Sequence, residues 1–185
     1  GIVFCSFNHD YKINPTMFKV WMDLLKAVPG SVLWLMKLNE TAHANVSKSA
    51  LEHGVEPSRI HFATRVPAVE DHLARYRLAD VFLDTYPYTG HTTAGDALLA
   101  GTPTVTMAGS SFASRVALSL FNDLSLTTGI ATSYGDYFEK ALAFATDSFL
   151  RENVREYLTY NVQAENWPVK ADKQAEGLME LLTQA

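Results

Sequence analysis

A single cysteine in 185 residues, Cys5, excludes an intramolecular disulfide, and its place in the apolar run Ile2-Val3-Phe4-Cys5 reads as a buried strand position rather than a reactive thiol. No apolar stretch reaches the ~18 residues that a membrane-spanning helix needs. The N-terminus carries neither a basic leader nor a small-residue cleavage site, so the expectation is a cytoplasmic chain without a membrane partner, cut from something larger. Cationic charge is also short: 15 Lys and Arg against 20 Asp and Glu leave a formal net charge of -5. Without a basic footprint, nucleic acid is not an expected partner. The chain holds no G-x-G-x-x-G and no G-x-x-x-x-G-K-[ST], which removes the usual grounds for a dinucleotide oxidoreductase or a P-loop NTPase. No G-x-S-x-G marks a serine hydrolase. The six histidines, His9, His43, His53, His61, His72 and His91, lack the tight His/Cys/Asp spacing of zinc sites, so no metal and no other cofactor is expected.

What is present is a globular composition, 48% hydrophobic and 19% charged. A single domain of this length buries roughly 70% of its unfolded surface. Short β-rich runs at 2–6, 31–36, 59–63, 80–84 and 102–107 alternate with helix-length amphipathic segments, and Val81-Phe82-Leu83 is apolar throughout, as in strands covered on both faces. The fold class is therefore α/β, a parallel sheet flanked by helices. Helices are predicted from Pro15 to Val28, from Thr41 to His53 before a left-handed Gly54, and from Val69 to Arg77. After Ser133 the strand signal fades, and helices are predicted over 134–146, 147–160 and 170–182. The chain reads as one domain, 1–185, with an α/β core over 1–130 and a helical tail over 131–185.

In open α/β sheets ligands bind beyond the carboxyl ends of the strands, so the loops there are the places to search. The segment Asp84 to Asp96 leads into a helix through Gly90-His91-Thr92-Thr93, a turn followed by hydroxyls, an imidazole and unpaired amides, which are the donors an anionic phosphate seeks. Thr92 or Thr93 could equally be a plain helix cap. Asp96, one turn on, could accept from ribose hydroxyls or simply offset the helix dipole. In the loop and helix after 59–63, His72 and Arg75 stand three apart and could flank a base and a phosphate, or be a surface pair without a role. After the first strand, Asn8, His9, Tyr11 and Lys12 crowd one loop, where Lys12 could meet a diphosphate.

Phe7-Asn8-His9-Asp10-Tyr11-Lys12-Ile13-Asn14-Pro15, Ser31 to Leu35, Leu78 to Thr85, Gly90-His91-Thr92-Thr93, Ala100 to Met107 and Ala113-Ser114-Arg115-Val116 together resemble, in order and spacing, the C-terminal catalytic half of the O-GlcNAc transferase and SPINDLY-like glycosyltransferases. The match runs through nearly the whole chain and is loosest from Gly129 onward. The resemblance implies a Rossmann-like C-terminal domain of a two-domain GT-B enzyme that carries a UDP-sugar donor, usually UDP-GlcNAc. In that family tetratricopeptide repeats and an N-terminal domain precede it and bring the protein or peptide acceptor. It also implies inverting, metal-independent transfer to Ser/Thr hydroxyls. Carried over by position, Lys12 is the catalytic lysine that meets the diphosphate, with His9 in the same loop. His91, Thr92 and Thr93 bind phosphate, Asp96 binds ribose, and His72 stacks on the base with Arg75 nearby. Animal members have glutamine where His9 stands and lysine where Val69 stands. Other members use UDP-glucose or GDP-fucose, so a transferase of another sugar and a non-catalytic nucleotide-sugar-binding module stand as alternatives, with an epimerase behind them.

Overall fold

A computed structural model describes residues 1–164. Six short strands, β1 Val3–Ser6, β2 Val32–Met36, β3 Ile60–Ala63, β4 Val81–Leu83, β5 Thr104–Met107 and β6 Ile130–Ala131, form one parallel sheet in the order β3-β2-β1-β4-β5-β6. The helices are α1 Pro15–Ala27, α2 Glu40–Glu52, α3 Val69–Tyr76, α4 Thr92–Leu99, α5 Val116–Asp123, α6 Tyr134–Thr146 and α7 Ser148–Ala164. Because side chains alternate along a strand, Phe4, Val81 and Leu83 enter one apolar cluster while Cys5 and Phe82 enter another on the opposite face. Covering both faces is why these strands read as continuous apolar runs.

Local chemistry sets the helix ends. Asn14 caps α1 by accepting from the Met17 N–H at 3.0 Å, and Pro15 follows at the first helical position, where a missing N–H costs nothing. Met17, Phe18, Trp21, Met22, Leu24 and Leu25 then face the sheet. Gly54 closes α2 with φ +76°, the left-handed conformation that a side chain resists.

Two elements have no counterpart in the sequence reading: α5, and β6, whose two residues are too few to carry a periodic signal. α7 runs on to Ala164, four residues past the predicted end. The helix predicted over 170–182 lies outside the described residues. The helices after Ser133 are built into the core, since Tyr137, Ala141, Phe144, Val154 and Leu158 join the same cluster as Phe4 and Val81. No described helix is long and apolar enough to cross a membrane.

The strand order decides where a site can form. β1 has β2 on one side and β4 on the other, so the chain leaves β1 and β4 in opposite directions and the loops beyond their carboxyl ends part. A crevice at this switch point is where doubly wound sheets hold ligands.

Candidate functional site

The loops after β1 and β4 face each other across the switch point, and Lys12 joins them. Its Nζ donates to the Thr89 carbonyl at 3.0 Å and sits 3.9 Å from the centre of the Tyr88 ring. Partial burial pulls the Lys12 ammonium below its usual pKa, and the negative charge of Asp84 works against that pull. His9, exposed, stacks on Tyr11 at 5.5 Å, and Tyr11 in turn approaches Tyr88. Aromatic rings therefore crowd the lysine of the crevice.

The start of α4 is open. His91 occupies the cap position, and neither its side chain nor any other caps the helix. The first backbone bond runs from the Gly95 N–H to the His91 carbonyl at 3.0 Å. Among the described residues, the N–H groups of Thr92, Thr93 and Ala94 thus keep no partner in the fold, which leaves donors and the positive end of the dipole for an anion. Neither Thr92 nor Thr93 is therefore a plain helix cap. Thr92 is exposed, and Thr93 gives its hydroxyl proton to Asn8 Oδ1 at 2.5 Å. Nε2 of His91 is buried with no hydrogen-bond partner among the described residues, its ring lying between Tyr88 and Phe112.

His72 and Asp96 are brought together: Nε2 and Oδ2 stand 3.2 Å apart, with side chains 25% and 18% exposed. Burial raises the Asp96 pKa and the neighbouring imidazole lowers it again. The His72 ring packs at nearly a right angle to Tyr76, 5.3 Å between centroids, and stays partly open to solvent. Arg75 behaves differently. It is buried, donates to the Thr64 carbonyl at 2.9 Å and lies against the Phe7 ring. The i,i+3 spacing that sets it beside His72 in sequence turns it inward instead. There it lines a cavity of about 380 Å³ with Trp34, Ala63, Thr64 and Val66.

Asp84 and Asn8 carry the site's framework, and the sequence alone assigns a role to neither. Asp84 is fully buried, and its Oδ1 accepts from Thr85 N–H at 2.8 Å, Gly90 N–H at 2.6 Å and Asn8 Nδ2 at 3.2 Å, while Oδ2 accepts from the Thr106 hydroxyl at 2.7 Å. Burial pushes this carboxyl up to about 6 despite those four donors. A carboxylate at the end of an apolar strand is seldom buried without partners, and Val81-Phe82-Leu83-Asp84 carries that signal. The rest of the loop is pinned as well. Tyr137 donates to the Asp84 carbonyl at 2.8 Å, Asn14 Nδ2 to the Tyr86 carbonyl, and the Thr89 hydroxyl to the Ala113 carbonyl at 2.8 Å. No cluster of three or more His, Cys, Asp or Glu suited to a metal ion occurs among the described residues.

Known proteins match both the sequence and the fold. The profile of Glycosyl transferase family 41 matches residues 1–170. The UDP-N-acetylglucosamine–peptide N-acetylglucosaminyltransferase of Caenorhabditis elegans is 42% identical over 155 residues, which are 84% of this chain and 13% of that protein. The probable enzyme of the same description, SPINDLY, from Solanum lycopersicum is 37% identical over 166 residues, 85% of this chain and 18% of that one. This chain thus spans less than a fifth of the length of these relatives. Among solved structures, an O-GlcNAc transferase of Thermobaculum terrenum superposes with a TM-score of 0.91 at 28% identity, covering 99% of this chain and 35% of its own. The C-terminal domain of a group 1 glycosyl transferase, LpcC, from Francisella tularensis shares the fold with a TM-score of 0.66 at 12% identity, over 89% of this chain and 86% of that one.

Proposed function

This chain belongs to glycosyl transferase family 41, and from that premise we propose that it is the donor-binding domain of an inverting, metal-independent protein O-GlcNAc transferase acting on Ser/Thr hydroxyls. The observation that carries the reading is the pairing of Lys12 with an uncapped α4: a cation and a row of free N–H groups meet at the switch point of the sheet. A nucleoside diphosphate fits that donor set. In this reading Lys12 and the first turn of α4 hold the diphosphate and receive the charge that grows on UDP as the glycosidic bond breaks. Fixed donors of this kind do the work that a divalent cation would otherwise do. Asp96, oriented by His72, takes the ribose hydroxyls, and the His72 ring stacks on the base. Arg75 serves through the loop it anchors at Thr64. UDP-GlcNAc is the proposed donor. The acceptor is a protein or peptide held by further domains, as the share of the relatives left uncovered leads us to expect. A core that needs no disulfide suits a cytoplasmic setting.

Calorimetric titration of UDP and uridine in excess EDTA tests this. The wild-type chain is expected to bind UDP without a metal, and Lys12→Ala to weaken UDP by about 10–100-fold, the range for one charged hydrogen bond, while leaving uridine within about twofold. Equal losses for both ligands, or binding that requires Mg²⁺, would overturn the assignment.

A further inference from the structure

The buried pair Asp84–Asn8 lies one layer below the groups expected to touch a ligand, and its hydrogen bonds have a fixed direction. An ionised carboxylate only accepts, so Asn8 must turn its amide nitrogen to Asp84 Oδ1 and thereby its oxygen to Thr93. The Thr93 hydroxyl then spends its only proton on Asn8. The same Oδ1 takes the Gly90 N–H and so sets the turn that enters α4. We infer that Asp84 is the positioning residue of the anion loop: through Asn8 and the Gly90 amide it decides how Thr93 and the first turn of α4 present their donors to a diphosphate. The inference rests on the diphosphate reading above and deepens it. It assigns the contact from Thr93 to its main-chain N–H, leaving the exposed Thr92 as the hydroxyl that can donate to the ligand.

Two electrostatic features accompany this geometry. Burial pushes this carboxyl up to about 6 in the folded chain, from 3.8 for the free group. The folded state therefore holds this proton more tightly than the unfolded state, and the contribution of Asp84 to stability falls as pH rises from about 4 through 6. At neutral pH the charged form is thus less favoured in the fold than in the unfolded chain, although it accepts four hydrogen bonds there. Its charge also helps to keep Lys12 protonated against partial burial, and Lys12 sits on the carbonyl of Thr89, the residue just before Gly90.

The test compares the wild-type chain with Asp84→Asn, Thr93→Val, Thr93→Ser and the Asp84→Asn/Thr93→Val double variant, with UDP and uridine as ligands. Asp84→Asn and Thr93→Val should each weaken UDP by about 10–100-fold and leave uridine within about twofold, as expected when a charged hydrogen bond is misaligned. Thr93→Ser should restore UDP binding. Because the two residues act in one chain of bonds, the double variant should bind no more than about threefold worse than the weaker single one. Asp84→Asn should melt no lower than wild type near pH 7.5, and should lack the rise in melting temperature that Asp84 gives wild type on going to about pH 5.5. Additive losses, equal losses of UDP and uridine, or unchanged UDP binding would overturn the inference. Should Asp84→Asn fail to fold, Asn8→Ala and Thr93→Val form the same non-additive pair, since Asn8 is the link. A wild-type chain that binds no UDP refutes the diphosphate reading itself, and the inference with it.

Discussion

Given UDP-GlcNAc and an acceptor peptide, the 185-residue chain alone is expected to bind the donor and transfer no sugar. In the proposed reading the groups at its switch point address a diphosphate and a nucleoside, and all of them approach from the carboxyl ends of one sheet. The proposed roles of these groups all fall on the donor, and none is assigned to the acceptor hydroxyl. Bringing two reactants into register accounts for about 7–11 kcal/mol of a barrier, and one wall of a cleft cannot supply it. A longer protein that adds the second wall should turn over. In it, Lys12→Ala should lower kcat about 100–1,000-fold, the usual cost of removing one preorganised donor to a developing charge. Radiolabelled sugar transfer to peptide, measured for both proteins, checks this. Sustained turnover by the chain alone would place acceptor chemistry among the residues assigned above to the framework.

Gly90→Ala should damage the same site from the backbone side. A Cβ at Gly90 would lie 2.7 Å from Thr93 Oγ1, 2.9 Å from Asp84 Oδ1 and 3.0 Å from the Ala94 nitrogen. None of these can retreat cheaply, because Thr93 is tied to Asn8 and Asp84 to four donors. The loop must move instead, carrying the first turn of α4 with it. Overpacking of this kind costs about 1–3 kcal/mol of stability. Misaligning the amides should weaken UDP by a further ~10–100-fold in a variant that still folds. Thermal melts and UDP titrations check the two parts separately. Unchanged UDP affinity would remove the α4 turn from the site.

The parts of this molecule that are legible in its sequence are those governed by local rules. Asn14 and Pro15 announce α1, Gly54 ends α2, and the apolar strand cores from β1 to β5 announce themselves. The loops that carry Lys12 and Gly90-His91-Thr92-Thr93 stand out for the same reason, each being a polar cluster directly after an apolar run. What escapes depends on partners far apart in the chain. Asp84 draws its donors from Asn8 and Thr106 as well as from its own loop, and Thr93 finds its acceptor 85 residues away. Spacing places His72 and Arg75 on one helix face, but only the packed fold turns Arg75 toward Phe7 and Thr64 and leaves His72 for Asp96. The sheet order is equally hidden, since the reversal at β1 that opens the crevice is a matter of pairing rather than of composition.

The most direct test of the account is the change in backbone amide resonances as UDP is added to the isotope-labelled chain in EDTA. The uncapped turn of α4 predicts the largest shifts at Thr92, Thr93 and Ala94, with smaller ones at Gly90 and through the Asn8 to Lys12 loop. Phosphate oxygens on free N–H groups move those signals first. Phe18, Ala42 and Val46 of α1 and α2, which line a cavity of about 440 Å³ together with Asp10 and Tyr11 of the Asn8 to Lys12 loop, should be silent. Shifts centred on Phe18, Ala42 and Val46, or none at the start of α4 at saturating UDP, would contradict the assignment of the diphosphate to the switch point.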